Sequence, residues 1–185
     1  WMEFKLTRIA PTPSGFLHLG NVFSFSLTAA LARRTGAEIL LRIDDLDRER
    51  VQRDYLQDIF DTLTFMQIPW DQGPRNVDDF EREYSQVHRL PLYWAALARL
   101  REAGAVYACA CSRAQVLRLS PDGSYPGTCR DLRLDLDAEG LSWRLRTTDT
   151  LPAGMQDFVV RKKDGFPAYQ LCSVMDDLHY GVDLI

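Results

Sequence analysis

No apolar run in the 185 residues approaches the roughly 20 needed to cross a bilayer, and the start Trp1-Met2-Glu3-Phe4-Lys5 lacks the basic, apolar and small regions of a signal peptide. A cytoplasmic protein is expected. Met2 reads as the initiator and Trp1 as a residue outside the fold. Glycine and proline are few, 11 and 9, which excludes a collagenous or low-complexity chain, and with 46% hydrophobic residues the chain should fold. Excess positive charge is also missing. A formal net charge of −4 argues against coating nucleic acid through bulk charge, although the 22 Lys and Arg can still cluster against one RNA. Histidine and cysteine are scarce at 3 and 4, so where they stand carries information. Cys109, Cys111 and Cys129 fall within 21 positions while Cys172 stands apart, and in a reducing compartment such a cluster favours metal over disulfides.

Along the chain, Phe4 to Ala10 alternates as a strand does, and Pro11-Thr12-Pro13-Ser14-Gly15 then interrupts regular structure. A helix is predicted from Asn21 to Arg34, followed by a buried strand over Glu38–Ile43. This is the strand, loop, helix, strand unit of parallel α/β folds. Val51, Tyr55, Ile59, Leu63 and Met66 predict one helical face; Tyr84, Val87, Leu90, Trp94, Leu97 and Leu100 predict another, with Pro91 marking a start or a kink. From about Val106 the pattern changes to short apolar pieces and turns. Leu141, Trp143 and Leu145 alternate with Ser142, Arg144 and Arg146 as in a half-buried strand, and Phe158 to Tyr169 reads as a hairpin turning at Asp164-Gly165. Cys172 and His179 read as packing residues, and Asp176 and Asp177 as a cap or a pocket wall.

The loop before the first helix carries the clearest chemistry. His18-Leu19-Gly20-Asn21 places an imidazole and backbone N–H groups at a helix start, where a nucleotide phosphate can sit, and Gly20 would let it approach the backbone. Taken alone, His18 reads first as a partly buried histidine at a helix N-terminus. It does not stand alone, because the whole stretch from Arg8 to Asn21 resembles the first signature of class I aminoacyl-tRNA synthetases in its glutamate-specific form. The resemblance continues through Leu41-Arg42-Ile43-Asp44-Asp45-Leu46-Asp47, Ala168-Tyr169-Gln170-Leu171 and Val174-Met175-Asp176-Asp177, in family order over essentially the whole chain. Within that family, Cys109-x-Cys111 followed by Tyr125-Pro126-Gly127-Thr128-Cys129 is most similar to the glutamyl-queuosine branch, which joins glutamate to the queuosine base of tRNA(Asp); the branch that charges tRNA(Glu) is the alternative. An RNA-binding or zinc module without catalysis is a third reading.

The resemblance implies a Rossmann-like α/β fold, a parallel sheet with helices on both faces, over residues 1–104 and again over 154–185, with a zinc-bearing insertion at 105–153. It implies adenylate formation from glutamate and ATP, the nucleotide carried with Mg2+, and transfer to tRNA. Thr12, His18 and Asn21 take the catalytic positions, with Gly20 completing the ATP motif. Arg8, Asp44 and Tyr169 take the glutamate-binding positions; Asp44 departs from the family's Glu, and its alternative reading is a solvated acidic turn before a helix. The cysteines have chelating spacing for Zn2+ and no histidine between Cys111 and His179 to complete it. The family fills the fourth position with Tyr125; water, or three merely buried thiols, are the other readings. Arg161-Lys162-Lys163, or Arg144 with Arg146, are candidates for tRNA phosphates or for solvated faces. A lysine-containing K-M-S-K-S-like second signature appears nowhere in these residues, so the chain is expected to be part of a longer protein, inactive alone, and monomeric.

Overall fold

A computed structural model describes residues 3–185; Trp1 and Met2, read above as a residue outside the fold and the initiator, lie outside the described residues. The chain divides into two compact units. One runs through Leu90 and resumes over Asp176–Ile185, and the other is Pro91–Met175.

In the first unit, β1 (Leu6–Ile9) and β2 (Glu38–Leu41) pair in parallel, from Leu6 opposite Glu38 to Ile9 opposite Leu41. Parallel neighbours cannot be joined by a tight turn, and α1 (Leu19–Thr35) supplies the crossover. Single parallel bridges extend the sheet on both sides, Thr7 with Leu184 beyond β1 and Leu40 with Gln72 beyond β2. A strand flanked on both edges in such a sheet is covered on both faces. Accordingly Leu6, Thr7, Ile9 and the Ile39-Leu40-Leu41 run are all buried.

Helix α1 starts two residues before the sequence places it, because His18 and Asn21 form a reciprocal cap, and it ends at Gly36, whose φ of 77° suits a left-handed C-cap. Phe25, Ala29 and Ala32 face the core; Leu19, Phe23, Leu27 and Leu31 form an exposed row at i, i+4 spacing. In α2 (Arg53–Phe65) the buried residues are Leu56, Ile59, Phe60 and Leu63. The predicted face is therefore rotated slightly. Tyr55 is half-buried and Met66, just past the helix end, is exposed, because the contact with Ile9, Leu41 and Ile43 selects the i, i+3, i+4, i+7 set that begins at Leu56.

Late in the first unit, α3 (Val77–Asp79) passes into one wide turn and then a tight turn over Gln86–Arg89, before α4 (Leu90–Glu102) begins. Pro91 thus lies in the first turn of a helix, where its missing N–H costs nothing. Tyr84 belongs to the wide turn and Val87 to the tight turn that precede it, so the second predicted stripe joins three elements rather than one.

The second unit is built on an antiparallel sheet of β3 (Val106–Cys109), β4 (Ser142–Leu145) and β5 (Val159–Arg161), in that spatial order, with α5 (Arg113–Leu119) between β3 and β4 in the chain. Val106, Trp143 and Val160 join Ala96 and Leu97 of α4 and Leu171 of α6 (Tyr169–Tyr180) in one core. The opposite face of β3 and β4 carries Tyr107 and Cys109, paired across the strands with Arg144 and Ser142. The half-buried reading of this strand is corrected here: Ser142 and Arg144 are buried, because the segment around Tyr125 to Cys129 and Asp157 covers the face expected to meet solvent. After β5, Gly165 adopts φ 87° in the turn and Arg161 bridges antiparallel to Pro167, the hairpin read from Asp164-Gly165. No helix among the described residues is long and apolar enough to cross a membrane.

Candidate active site and metal centre

In the first unit, the chain between β1 and α1 walls a cavity of about 500 Å3, lined by Arg8, Thr12, Ser14, His18, Asn21 and Ser24 among others. Of the residues read as nucleotide-binding, Thr12, His18 and Asn21 thus share one hollow with the arginine read as carboxylate-binding, while Gly20 stands outside its lining. Its rim is fixed locally. Asn21 Oδ1 accepts from the His18 amide at 3.0 Å, and His18 Nδ1 accepts from the Gly20 amide at 3.1 Å. The second bond assigns the tautomer: Nδ1 is the acceptor, so in the neutral ring Nε2 carries the hydrogen. A Cβ on residue 20 would stand 3.0 Å from His18 Cε1, so glycine here makes room for the imidazole itself. No acidic side chain occupies the first turn of α1, which leaves the positive end of the helix uncompensated beside Thr12 and His18.

Two supports of this loop were not legible in sequence. Asp58 on α2 accepts from the Leu17 amide at 2.8 Å, and the Phe16 ring meets Tyr55 edge-on at 4.9 Å. The only sequence signal for them is their place on the helix after the acidic segment, 41 and 39 residues away.

Arg8 is held. Its Nε and Nη2 donate to Asp177 at 2.8 and 3.3 Å, and Arg42 Nη1 donates to the same carboxylate at 2.6 Å. Arg42 in turn meets Asp44 with two parallel bonds of 2.8 and 3.1 Å. The chain Arg8, Asp177, Arg42, Asp44 alternates in sign, and Asp44 is its buried end, with a side chain 1% exposed. Burial pushes the Asp44 carboxyl up to about 6, against the pull of Arg42, and the charge of Asp176 adds to the rise. The solvated acidic turn is therefore corrected: Asp44 and Asp45 are interior groups, Asp45 accepting from Arg48, from Ser85 Oγ at 2.6 Å and from the Gln86 amide at 2.7 Å. Asp176 is the anchor of Arg89, at 2.7 and 3.0 Å. His179, read as packing, is exposed and lies edge-on to Tyr180, because it sits on the open side of α6.

Tyr169 belongs to the second unit, where it opens α6 with 56% of its surface exposed. Cys172, three residues on, is buried as expected.

The second unit also gathers the cysteine cluster. The sulfurs of Cys109, Cys111 and Cys129 lie within 4.8 Å of one another, with Cys111 and Cys129 3.6 Å apart. Tetrahedral zinc with bonds of about 2.3 Å separates its sulfurs by roughly 3.8 Å, so the spacing fits. Tyr125 faces the same point, its phenol oxygen 3.3 Å from Cys109 Sγ and 4.0 Å from Cys111 Sγ, while the Cys129 amide donates to it at 2.9 Å. Burial, with the neighbouring Cys109, raises the phenol. Burial raises the Cys109 thiol as well, but hydrogen bonds from Tyr125 and Arg144 overcome it and bring it down to about 7. A thiolate is thus available near neutral pH.

The basic residues have structural partners. Arg144 is buried and does not project as a tRNA contact, which corrects that reading; Arg146 is exposed and lies 4.9 Å over the Tyr107 ring. Lys162 pairs with Asp164 at 2.9 Å, and Lys163 donates to the Ala110 carbonyl at 2.7 Å. Both lysines, with Arg113, line a second cavity of about 740 Å3 beside Cys111 and Tyr125.

Known proteins resemble this chain over most of its length. The family described as tRNA synthetases class I (E and Q), catalytic domain, matches residues 6–122. A glutamyl-Q tRNA(Asp) synthetase of Symbiobacterium thermophilum is 39% identical over 95% of this chain and 62% of its own length. A second, from Rhodobacter capsulatus, is 34% identical over 96% of this chain and 74% of its own. A glutamate–tRNA ligase of Dehalococcoides mccartyi is 36% identical over 92% and 39%. A crystal structure of a glutamate tRNA ligase from Elizabethkingia meningosepticum, in complex with its amino acid, superposes with a TM-score of 0.72 at 20% identity over 97% of this chain and 43% of that one, which shows the fold. The chain belongs to the class I synthetase family of glutamate and glutamine, as a catalytic-domain sequence. It spans about 60% of the length of the first glutamyl-Q relatives, 62% and 57%.

Proposed function

We propose that this chain is the nucleotide- and glutamate-binding part of an ATP-dependent ligase that activates glutamate and passes it to tRNA, with the queuosine base of tRNA(Asp) as acceptor. The observation that carries the reading is the single cavity walled by Thr12, His18, Asn21 and Arg8. In the reaction, an oxygen of the glutamate carboxylate bonds to the α-phosphorus of ATP as the bond to the departing pyrophosphate breaks. Charge builds on the phosphate oxygens, and donors aimed at them lower the barrier. His18 Nε2–H, the Thr12 hydroxyl and the N-terminus of α1 are such donors, and Mg2+ enters as part of the nucleotide substrate. Arg8 meets a substrate carboxylate with a guanidinium already oriented by Asp177. Asp44 is buried and bonded through both oxygens to Arg42, and in this reading its service to the substrate is to fix that chain of charges.

Three thiols and a phenol converging in the second unit fit Zn2+, which would staple β3 to the turn carrying Tyr125 and Cys129. Arg113, Lys162 and Lys163 beside that staple supply positive charge suited to an RNA backbone.

The test is glutamate-dependent exchange of pyrophosphate into ATP by the longer protein that carries this chain. Exchange without tRNA, then transfer to tRNA(Asp), supports the reading. Strict dependence on tRNA(Glu) moves the assignment to the tRNA(Glu)-charging branch, which the Dehalococcoides mccartyi relative favours. No exchange with any amino acid leaves a zinc and RNA-binding module.

A further inference from the structure

Arg144 makes three contacts that no feature of the strand pattern requires. Its Nε donates to Cys109 Sγ at 3.3 Å, its Nη1 donates to the Asp157 carbonyl at 2.7 Å, and its guanidinium carbon lies 3.6 Å above the centre of the Tyr125 ring. The residue is 9% exposed. Asp157 is itself fixed, with φ 46°, accepting from Tyr107 Oη at 2.6 Å, from Arg130, and from the Thr147 amide and hydroxyl at 3.0 Å each. The guanidinium is thus clamped between a rigid carbonyl and two of the four groups in the cysteine cluster.

Charge explains why a cation belongs there. Zinc bound by three thiolates and a neutral fourth donor carries one net negative charge, which is costly in a mostly buried place unless a partner offsets it. We infer that Arg144 is a positioning residue of the metal centre: it cancels that charge, orients the Cys109 sulfur and holds the Tyr125 ring so that the phenol oxygen, rather than water, stands as fourth donor. The inference rests on the zinc reading above. Groups that act on a metal in this way, one bond removed from it, typically change affinity 10- to 100-fold.

The experiment uses the full chain, loaded with zinc or with Co2+, whose visible absorption follows the ligand set. Arg144→Leu is expected to weaken zinc in a chelator competition by at least 10-fold and to shift the Co2+ bands. Arg144→Lys keeps the charge without spanning from sulfur to carbonyl, so it should fall between Leu and wild type with shifted bands; this variant decides the matter if Arg144→Leu does not fold. In a Tyr125→Phe background the effect of Arg144→Leu should shrink to less than half on a logarithmic scale, since the two act through one ring. Zinc affinity within two-fold of wild type and unchanged Co2+ bands in Arg144→Lys overturn the inference while leaving zinc in place. Wild-type protein without zinc overturns the metal reading and the inference together.

Discussion

His18 shows how much one side chain can be asked to do. It caps α1 through Nδ1 and lines the cavity with Nε2 left to donate, two roles that a substitution can separate. Serine is a good N-cap, so His18→Ser should hold thermal stability within about 0.5 kcal/mol of wild type while the exchange rate falls roughly 100-fold. A loss of stability with an unchanged rate would make His18 a cap alone. Asp177 separates differently. Asp177→Asn removes the anion shared by Arg8 and Arg42, and an expected rise of 10-fold or more in KM for glutamate, with KM for ATP little changed, would show that it positions Arg8. Asp44 gives a pH signature. Its carboxyl ionises near 6 in the fold and near 3.8 when unfolded, so between those values the folded state holds the extra proton. Its contribution to stability is greatest at the acid end, declines as pH rises from about 4 to 6 and is level above. The stability difference between wild type and Asp44→Asn, measured by urea unfolding across that range, should fall in step; a difference that grows with pH would contradict the burial argument.

At the scale of elements, what the sequence made legible was whatever is local. Thr12, His18 and Asn21 sit within ten positions, and the turn, the cap and the helix that unite them are specified by their own neighbours. Cys109, Cys111 and Cys129 likewise meet across one loop. Asp177 and Arg8 are 169 positions apart, and nothing in either segment announces the pair. The burial of Arg144 was hidden for a related reason: period-two alternation tells which residues share a face, but not whether a loop will cover that face. The stripe on α2 rotated because the sheet, not the helix, decides which of several apolar residues turn inward. The proposed zinc staple has a test at this scale. Removing the metal with a chelator should release β3 and the 125–134 turn, seen as faster hydrogen exchange over residues 107–134, while β1 and β2 keep their protection. Tyr125→Phe should still bind close to one zinc per chain if the three thiols carry most of the affinity; stoichiometry near zero in metal-supplemented cells would remove the site.

For the molecule as a whole, two units carry separate features: a parallel sheet with a capped loop after its first strand, and an antiparallel sheet with a cysteine cluster. In the proposed reading the first holds Thr12, His18, Asn21 and Arg8, which would meet glutamyl-adenylate from the loop side, while Tyr169 lies in the second; binding, unlike turnover, does not wait on a cationic second signature. The most direct measurement is therefore calorimetric titration of this 185-residue chain with a non-hydrolysable sulfamoyl analogue of glutamyl-adenylate, beside the aspartyl and glutaminyl analogues. Saturable binding of the glutamyl compound, at least 10-fold tighter than either competitor and weakened at least 10-fold by Arg8→Ala, is the expected result. Equal affinity for all three, or indifference to Arg8, would contradict it.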